Sequence, residues 1–162
     1  MNKREHNAKA KEILEQKKKF QNLKKMNHRK LDDIFHMAHT SEFKKMDCLT
    51  CANCCKTTSP IFRDVDIQRI SKRMGIKSQK FIETYLKMDE ESDYVLTQSP
   101  CVFLEVDNTC SIYDDRPLAC KEYPHTNRKN IYQILDLTTK NMEICPVVER
   151  IVQSIEIGSK KQ

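Results

Sequence analysis

The segment CLTCANCC contains four thiols within eight residues, at Cys48, Cys51, Cys54 and Cys55. Thiolate sulfur is a ligand for soft metal ions, and a C-x2-C pair belongs more often to a metal or redox site than to a structural disulfide. Adjacent cysteines rarely close a relaxed disulfide with each other. If the segment were one helix, all four thiols would line one face, and if it were a loop, it would wrap a metal cluster. Both geometries predict a metal site.

The remaining four cysteines are spread along the second half of the chain, at Cys101, Cys110, Cys120 and Cys145. Eight thiolates are enough for two four-ligand sites, and a tetrahedral zinc ion and an iron-sulfur cluster each take four. Because adjacent side chains leave the backbone in different directions, we expect Cys54 and Cys55 to serve different metal ions, or different irons of one cluster. Cys48, Cys51 and one of this pair would form one site, and the other would join later cysteines. The alternative is that the thiols are small buried core residues.

Positively charged residues lie close to several cysteines in the sequence. Four thiolates around a zinc ion leave a net charge of about −2, which nearby cations should offset. Lys56, Arg116 and Lys121 are candidates for this role. An equally good alternative is that all three are ordinary surface charges, with Arg116 in an ion pair with Asp114 or Asp115.

Histidine is the other residue that commonly joins thiolates at zinc. His125 follows Cys120 by five residues and is a candidate ligand, but a histidine after the dipeptide YP is more often a capping or surface group. We therefore favour a non-ligand role for His125. We expect His28, His36 and His39, which lie in the basic segment, to be solvated.

The excess positive charge lies near the N-terminus. Residues 1–47 contain 13 Lys and Arg against 7 Asp and Glu, whereas residues 48–162 contain 16 of each. Apolar residues in this segment recur near a step of 3.6, which predicts one or two amphipathic helices. These residues are Ile13, Phe20, Leu23, Leu31, Ile34 and Ala38. Nucleic-acid binding through the lysines is an alternative that the scarcity of arginine and the absence of interleaved aromatic residues disfavour.

Two helices are predicted after the cysteine-rich segment. The stretch FRDVDIQRISKRMG predicts a short helix with Asp64 as its N-cap and Gly75 as its C-terminal stop. The stretch KSQKFIETYLKM predicts a second helix capped by Ser78. Together they form a helical pair that precedes the later cysteines.

The composition then changes to β-branched and aromatic residues. The stretches CVFLEV and TCSIY predict a β-hairpin that carries Cys101 and Cys110, with a turn at the DN dipeptide between them. RPLAC predicts a short helical turn that contains Cys120, since proline tolerates the first turn of a helix. IYQILDL predicts another strand, and CPVVERIVQSIEI predicts a helix that starts at Cys145.

These patterns predict the α+β class: a small, helix-rich single domain with a β-hairpin, organised around a cysteine cluster, plus a basic N-terminal helical extension. The predicted boundaries are residues 1–45 for the extension, 46–157 for the cysteine-cluster metal-binding domain and 158–162 for a frayed tail. The sequence contains no long apolar run and no secretory signal, so we expect no membrane association and a cytoplasmic location. Cytoplasmic thiols stay reduced and available to metal.

The cysteine pattern also resembles a known family. CLTCANCC, followed by CVFLEVDNTCSIYDDRPLACKEYPH and CP, is similar to the YkgJ-type CxxCxxCC cysteine-cluster family, a zinc- or iron-chelating domain, over about residues 46–150. The resemblance implies chelation through Cys48, Cys51, Cys54 and Cys55 together with the downstream cysteines. Some relatives carry the motif within flagellin lysine methylases, for which an iron-sulfur cluster is suspected. This sequence has no glycine-rich loop for a nucleotide-like methyl donor.

Three functions are compatible with the sequence. The first is a metal-binding protein of undefined cellular role, whose zinc ion or iron-sulfur cluster is structural or serves in redox sensing or metal handling, with no protein partner identified. The second is an enzyme that uses a cluster or an open zinc position, although no Ser/His/Asp arrangement, paired-carboxylate motif or phosphate loop supports it. The third is a nucleic-acid or acidic-partner binder that uses residues 3–30. We rank them in this order.

Overall fold

The computed structural model describes residues 15–155 and divides into two compact units. Unit 1 combines Met1–Lys45 with His125–Gln162, and unit 2 is Met46–Pro124. Helices predominate, and a two-stranded antiparallel sheet is present, so the predicted helix-rich α+β class is confirmed. No helix within residues 15–155 has the length and apolar character needed to cross a membrane. The predicted boundaries stay predictions, and the tail at 158–162 lies outside the described residues.

The elements of the described chain are numbered in sequence order. They are α1 at 15–24, α2 His28–Phe43, α3 Cys48–Cys51, α4 Asn53–Thr57, α5 Asp64–Arg73, α6 Ser78–Tyr85, β1 Leu86–Met88, β2 Tyr94–Leu96, a first 3₁₀ turn Tyr113–Asp115, α7 Leu118–Glu122, a second 3₁₀ turn Ile131–Ile134, α8 Leu135–Ile144 and α9 Pro146–Ser154. The first two helices and the last three elements belong to unit 1, and the others belong to unit 2.

Unit 1 is a small helical assembly. Helix α2 packs against α9 and the second 3₁₀ turn, and α8 also packs against α9. The predicted apolar stripe is confirmed where it is described: Phe20, Leu23 and Leu31 are buried, Ile34 and Ala38 are half-buried, and Ile13 lies outside the described residues. The predicted C-terminal helix is also confirmed, because α9 starts with proline and buries Val147, Val148, Ile151 and Val152. Apolar faces of helices therefore provide the core of unit 1.

The segment IYQILDL, which was predicted as a strand, is helical. It forms the second 3₁₀ turn and the start of α8. The Asp32 carboxylate, on α2, accepts hydrogen bonds from the N–H groups of Asn130 at 2.8 Å and Ile131 at 2.9 Å. These amides are at the start of the turn, where helical N–H groups need an external acceptor. The helical conformation is thus stabilised by a residue about 100 positions away, which the local alternation of apolar residues does not reveal.

Replacing Asp32 with alanine should destabilise unit 1 by about 2 kcal/mol, because two backbone donors lose a charged acceptor and such hydrogen bonds contribute about 1.5–3 kcal/mol. Asp33→Ala removes the same charge from the neighbouring exposed residue and is the matched control, with an expected change within about 0.5 kcal/mol. Urea denaturation of both variants measures the difference. Equal destabilisation would contradict the capping role of Asp32.

Unit 2 is organised around the aromatic ring of Phe81 on α6. This residue is fully buried, and its ring centroid lies 5.2 Å from Tyr85, 6.1 Å from Phe62 and 6.3 Å from Phe103. Aromatic pairs at these separations add to the stabilisation from burial. Ile67 and other apolar residues of α5 complete the cluster. Through Phe103, the core also holds the loop that follows Cys101.

The two predicted helices of unit 2 are confirmed, each with its cap shifted by one residue. Helix α5 begins at Asp64 with Arg63 as its N-cap, and α6 begins at Ser78 with Lys77 as its N-cap. Gly75 has a φ of 68°, as the predicted C-terminal stop requires, because glycine adopts this left-handed conformation without steric cost.

The antiparallel hairpin is formed by β1 and β2, earlier in the chain than predicted. In its register, Leu86 lies opposite Leu96. The predicted hairpin around Cys101 and Cys110 is wrong, because in this region a single bridge joins Leu104 to Cys110. The pairing stops there since the Cys101 N–H is bonded elsewhere and a 3₁₀ turn begins three residues after Cys110. The predicted turn is present, with Asn108 at a φ of 65°.

Candidate metal centre

The closely spaced cysteines occupy two short helices. Helix α3 ends at Cys51, Ala52 adopts the left-handed conformation with a φ of 47°, and α4 begins at the next residue. The segment is therefore neither the continuous helix nor the loop that the sequence analysis considered. A left-handed residue breaks a helix. It places Cys48 and Cys51 on one helical turn and Cys54 and Cys55 on another.

Cys55 is connected through its backbone to the later cysteines. Its carbonyl oxygen accepts a hydrogen bond from the N–H of Cys101 at 2.8 Å. The Sγ atoms of Cys54 and Cys55 are 4.0 Å apart, about twice the length of a disulfide bond, and none of the eight cysteines, all of which lie within residues 15–155, forms a disulfide. Helix α4 is thus fixed beside the segment that carries Cys101, with its thiols available as ligands.

The cysteines at 101, 110 and 120 lie on three successive segments of unit 2. Cys101 and Cys110 pack against the apolar core. The Cys110 carbonyl accepts the N–H of Tyr113 at 3.1 Å, which starts the first 3₁₀ turn. Cys120 lies on α7, so the predicted helical turn is confirmed. These three thiols are half-buried.

The charges of four thiols act on one another. Burial, and then the charges of Cys55, Cys101 and Cys110, raise the pKa of Cys120 to about 12. Burial and the charge of Cys55 also raise the pKa values of Cys101 and Cys110. The hydrogen bond with Cys54 lowers the pKa of Cys55 to about 6 against the opposing effect of burial, with help from Arg116 and Lys56. Ionisation is therefore favoured at Cys55 and disfavoured at its three neighbours, and coordination to a metal ion removes thiol protons outright.

Two of the three predicted cations act on these thiols. Lys56 and Arg116 both lower the pKa of Cys55, and the Lys56 ammonium donates a hydrogen bond to the Cys51 carbonyl at 3.1 Å. The alternative predicted for Arg116, an ion pair with Asp114 or Asp115, does not occur among the described residues. The role of Lys121 stays a prediction.

A buried carboxylate that the sequence analysis did not single out anchors the start of α7. Asp66 is 1% exposed and forms ion pairs with Arg69 at 2.7 Å and Arg63 at 3.1 Å. It also accepts the N–H of Leu118 at 3.3 Å, and Arg69 donates to the carbonyl of Arg116 at 3.0 Å. The spacing in RDVDIQR was the available signal, because charges three residues apart on a helix are neighbours.

The predicted cluster of eight cysteines is not confirmed by the side-chain positions. Within residues 15–155, no three Cys, His, Asp or Glu side chains are grouped closely enough to hold a metal ion. Seven cysteines belong to unit 2, whereas Cys145 caps α9 in unit 1. His125 also lies in unit 1. The ligand roles of the eight cysteines and the non-ligand role of His125 therefore stay predictions.

The histidines of the basic segment differ from one another. His28 and His36 are exposed, as expected. His39 is half-buried, with Nδ1 2.7 Å from Thr126 Oγ1 and its ring stacked 4.3 Å from that of Phe43. The expectation that all three are solvated is wrong for His39, because a neighbouring aromatic ring and a hydroxyl partner hold it against unit 1.

The comparison with protein families identifies the cysteine pattern. The family model CxxCxxCC, whose description reads "Putative zinc- or iron-chelating domain", matches residues 47–146, which is more than half of the chain. The chain belongs to the CxxCxxCC family. Searches of curated proteins and of solved structures gave no match. The CxxCxxCC match begins one residue before Cys48 and ends one residue after Cys145, so it includes all eight cysteines.

The residues of this CxxCxxCC domain fit a thiolate-bound metal in two respects. Thiolates are soft donors of the type that zinc and iron accept in proteins. In addition, the Nε atom of Arg116 is buried and has no hydrogen-bond partner among the described residues. A buried cationic donor of this kind suits an anionic centre such as a metal ion held by several thiolates.

Proposed function

We propose that this protein binds zinc or iron through two groups of thiolates, and that Cys55, Cys101, Cys110 and Cys120 form the first group. The observation that carries the proposal is the link from Cys55 to the later cysteines of unit 2. The Cys55 carbonyl is hydrogen-bonded to Cys101, and the charge of Cys55 acts on the other three thiols. The second group comprises Cys48, Cys51 and Cys54 of unit 2, and the ligand role of Cys145 stays a prediction from the sequence.

This division follows from the backbone contact of Cys55. We assign Cys55, and not Cys54, to the first group because the Cys55 carbonyl accepts the N–H of Cys101. Ala52 separates α3 from α4, so Cys48 and Cys51 are displaced from Cys55 along the chain. Metal binding then requires the thiols of each group to rotate toward a common centre, because no three described side chains already form one.

The metal is proposed to stabilise the fold of unit 2 and to respond to the redox state of the thiols. A centre closed by four thiolates leaves no position for substrate, which favours a structural, redox-sensing or metal-handling role over catalysis. Metal binding by such sites contributes directly to folding free energy. A reducing cytoplasm would keep the thiols available. The enzyme and nucleic-acid hypotheses stay alternatives that rest on the sequence.

Protection of individual thiols tests this proposal. Reduced protein, handled without oxygen, is incubated with Zn²⁺ alone or with Fe²⁺ and sulfide, then treated with iodoacetamide, and peptide mass spectrometry measures the alkylation of each cysteine. We expect Cys55, Cys101, Cys110 and Cys120 to be protected together by at least one of these treatments. If alkylation of these four proceeds equally with and without metal, the proposal is wrong. The same experiment reports separately on the alkylation of Cys145.

A further inference from the structure

Arg116 is held in a fixed position between two of the proposed ligands. Its guanidinium lies 3.7 Å from the centroid of the Tyr113 ring, and its carbonyl accepts a hydrogen bond from Arg69. The first 3₁₀ turn connects it to Cys110, and α7, which contains Cys120, starts two residues later. A guanidinium that is stacked on an aromatic ring can still donate hydrogen bonds from its N–H groups, which point outward in the plane of the guanidinium.

The carboxylates closest to Arg116 in sequence do not neutralise it. Asp115 instead pairs with Arg73 at 2.9 Å and with Arg69 at 3.8 Å. Within residues 15–155 the Arg116 side chain forms no ion pair, and its buried Nε has no hydrogen-bond partner. An unsatisfied buried donor costs about 1–3 kcal/mol, and more when it is charged, so such groups are rare in folded proteins. An anion beside Arg116 would satisfy this donor and neutralise its charge.

Arg116 is linked to Cys110 through the backbone, because its N–H donates to the Tyr113 carbonyl at 3.5 Å and the N–H of Tyr113 donates to the Cys110 carbonyl at 3.1 Å. Its positive charge opposes the rise that burial causes in the pKa values of Cys110 and Cys120, and it also lowers the pKa of Cys55. These three residues come from α4, the Leu104–Cys110 bridge and α7. A carboxylate or phosphate ligand would have to enter among three thiols, whereas a metal ion would convert these thiols into the required anion.

We propose that Arg116 is the positioning residue of the metal centre, and that its buried Nε–H donates a hydrogen bond to a metal-bound thiolate of Cys55, Cys110 or Cys120. This inference rests on the proposed function. The hydrogen bond lowers the energy of the sulfur lone pairs, and the guanidinium charge offsets part of the excess negative charge of the thiolates. Arg116 thereby strengthens metal binding without contacting the metal.

Cobalt binding to Arg116 variants tests the inference. Co²⁺ alone is titrated into reduced, metal-free full-length protein, and the sulfur-to-cobalt charge-transfer absorption gives both affinity and band energy. Arg116→Gln should weaken Co²⁺ binding by about 10-fold or more, since residues that support metal ligands typically contribute 10–100-fold. It should also shift the band to lower energy, because a thiolate without its hydrogen bond releases an electron more readily. Arg116→Lys keeps the charge and should recover part of the affinity.

The control and the outcomes separate this inference from the proposed function. Lys72→Gln removes one positive charge from an exposed position on α5 in the same unit and should change neither quantity. Wild-type affinity and an unshifted band in Arg116→Gln would overturn the inference. Weaker binding with an unshifted band would also overturn it, since this would indicate a structural role alone. A wild-type protein that binds no Co²⁺ would overturn the inference, whereas the alkylation test with Zn²⁺ or with Fe²⁺ and sulfide decides the proposed function.

Discussion

Replacing Cys55 with serine should lower the affinity of the protein for Zn²⁺ by at least about 100-fold, which exceeds the usual effect of losing a residue that only supports a ligand. The charge of Cys55 raises the pKa values of Cys101, Cys110 and Cys120. The substitution therefore removes the one proposed ligand that influences all three others. A serine hydroxyl is a harder donor than thiolate and does not ionise near neutral pH. Competition with a chromophoric zinc chelator measures the loss.

Cys48→Ser is the matched control for this substitution. Cys48 is exposed and lies on α3, beyond the left-handed residue Ala52. Its replacement should leave the site formed with Cys55 intact and remove only zinc that binds to the second group. If the two variants lose the same zinc equivalent with the same affinity, the division of cysteines between two groups is incorrect.

Replacing Asp66 with asparagine should destabilise unit 2 by about 3 kcal/mol, the lower end of the range for breaking a buried ion pair. The carboxylate is 1% exposed and interacts with Arg63, Arg69 and the N–H of Leu118, whereas the two arginines are partly exposed and can regain water. Native-state hydrogen exchange over α5 measures the effect. Asp64→Asn removes an exposed carboxylate from the first turn of the same helix and should cost no more than about 1 kcal/mol. Similar losses in the two variants would contradict the anchoring role of Asp66.

The contribution of Asp66 should also depend on pH. Burial alone would raise the pKa of Asp66, but the hydrogen bonds from Arg69 and Arg63 outweigh it and lower the pKa below the ordinary value of 3.8. Since the folded pKa is lowered, this stabilisation is fully present above the ordinary value and is lost as pH falls below 3.8 through the folded value. The stability difference between wild type and Asp66→Asn should therefore be constant above about pH 5 and shrink in more acidic solution.

The helices were predictable from the sequence because their signals are local. Apolar spacing located α5, α6 and α9, and Gly75 ended its helix as expected. The predicted N-caps were misplaced by one residue. Asp64 is a favourable residue type for an N-cap and Arg63 is not, but at Arg63 the backbone N–H donates a hydrogen bond to the Asp66 side chain. IYQILDL became helical because Asp32 caps it from α2, a contact between distant residues.

The composition of the candidate site was predictable, but its arrangement was not. Eight cysteines and the C-x2-C-x2-C-C spacing were sufficient to indicate metal binding and the family. The proposed partition between Cys54 and Cys55 rests on the conformation of Ala52 and on the hydrogen bond from Cys101 to the Cys55 carbonyl, which no local pattern encodes. The same holds for Arg116, whose sequence neighbour Asp115 is occupied by arginines from α5.

The most direct test of the account is X-ray absorption at the metal edge of protein purified without oxygen. We predict bound zinc or iron whose nearest neighbours are four sulfur atoms at about 2.3 Å. This first shell should lose sulfur in Cys55→Ser. A first shell of nitrogen and oxygen atoms alone, or protein that contains neither metal, would contradict the claim that thiolates from separate segments of this chain form a metal centre.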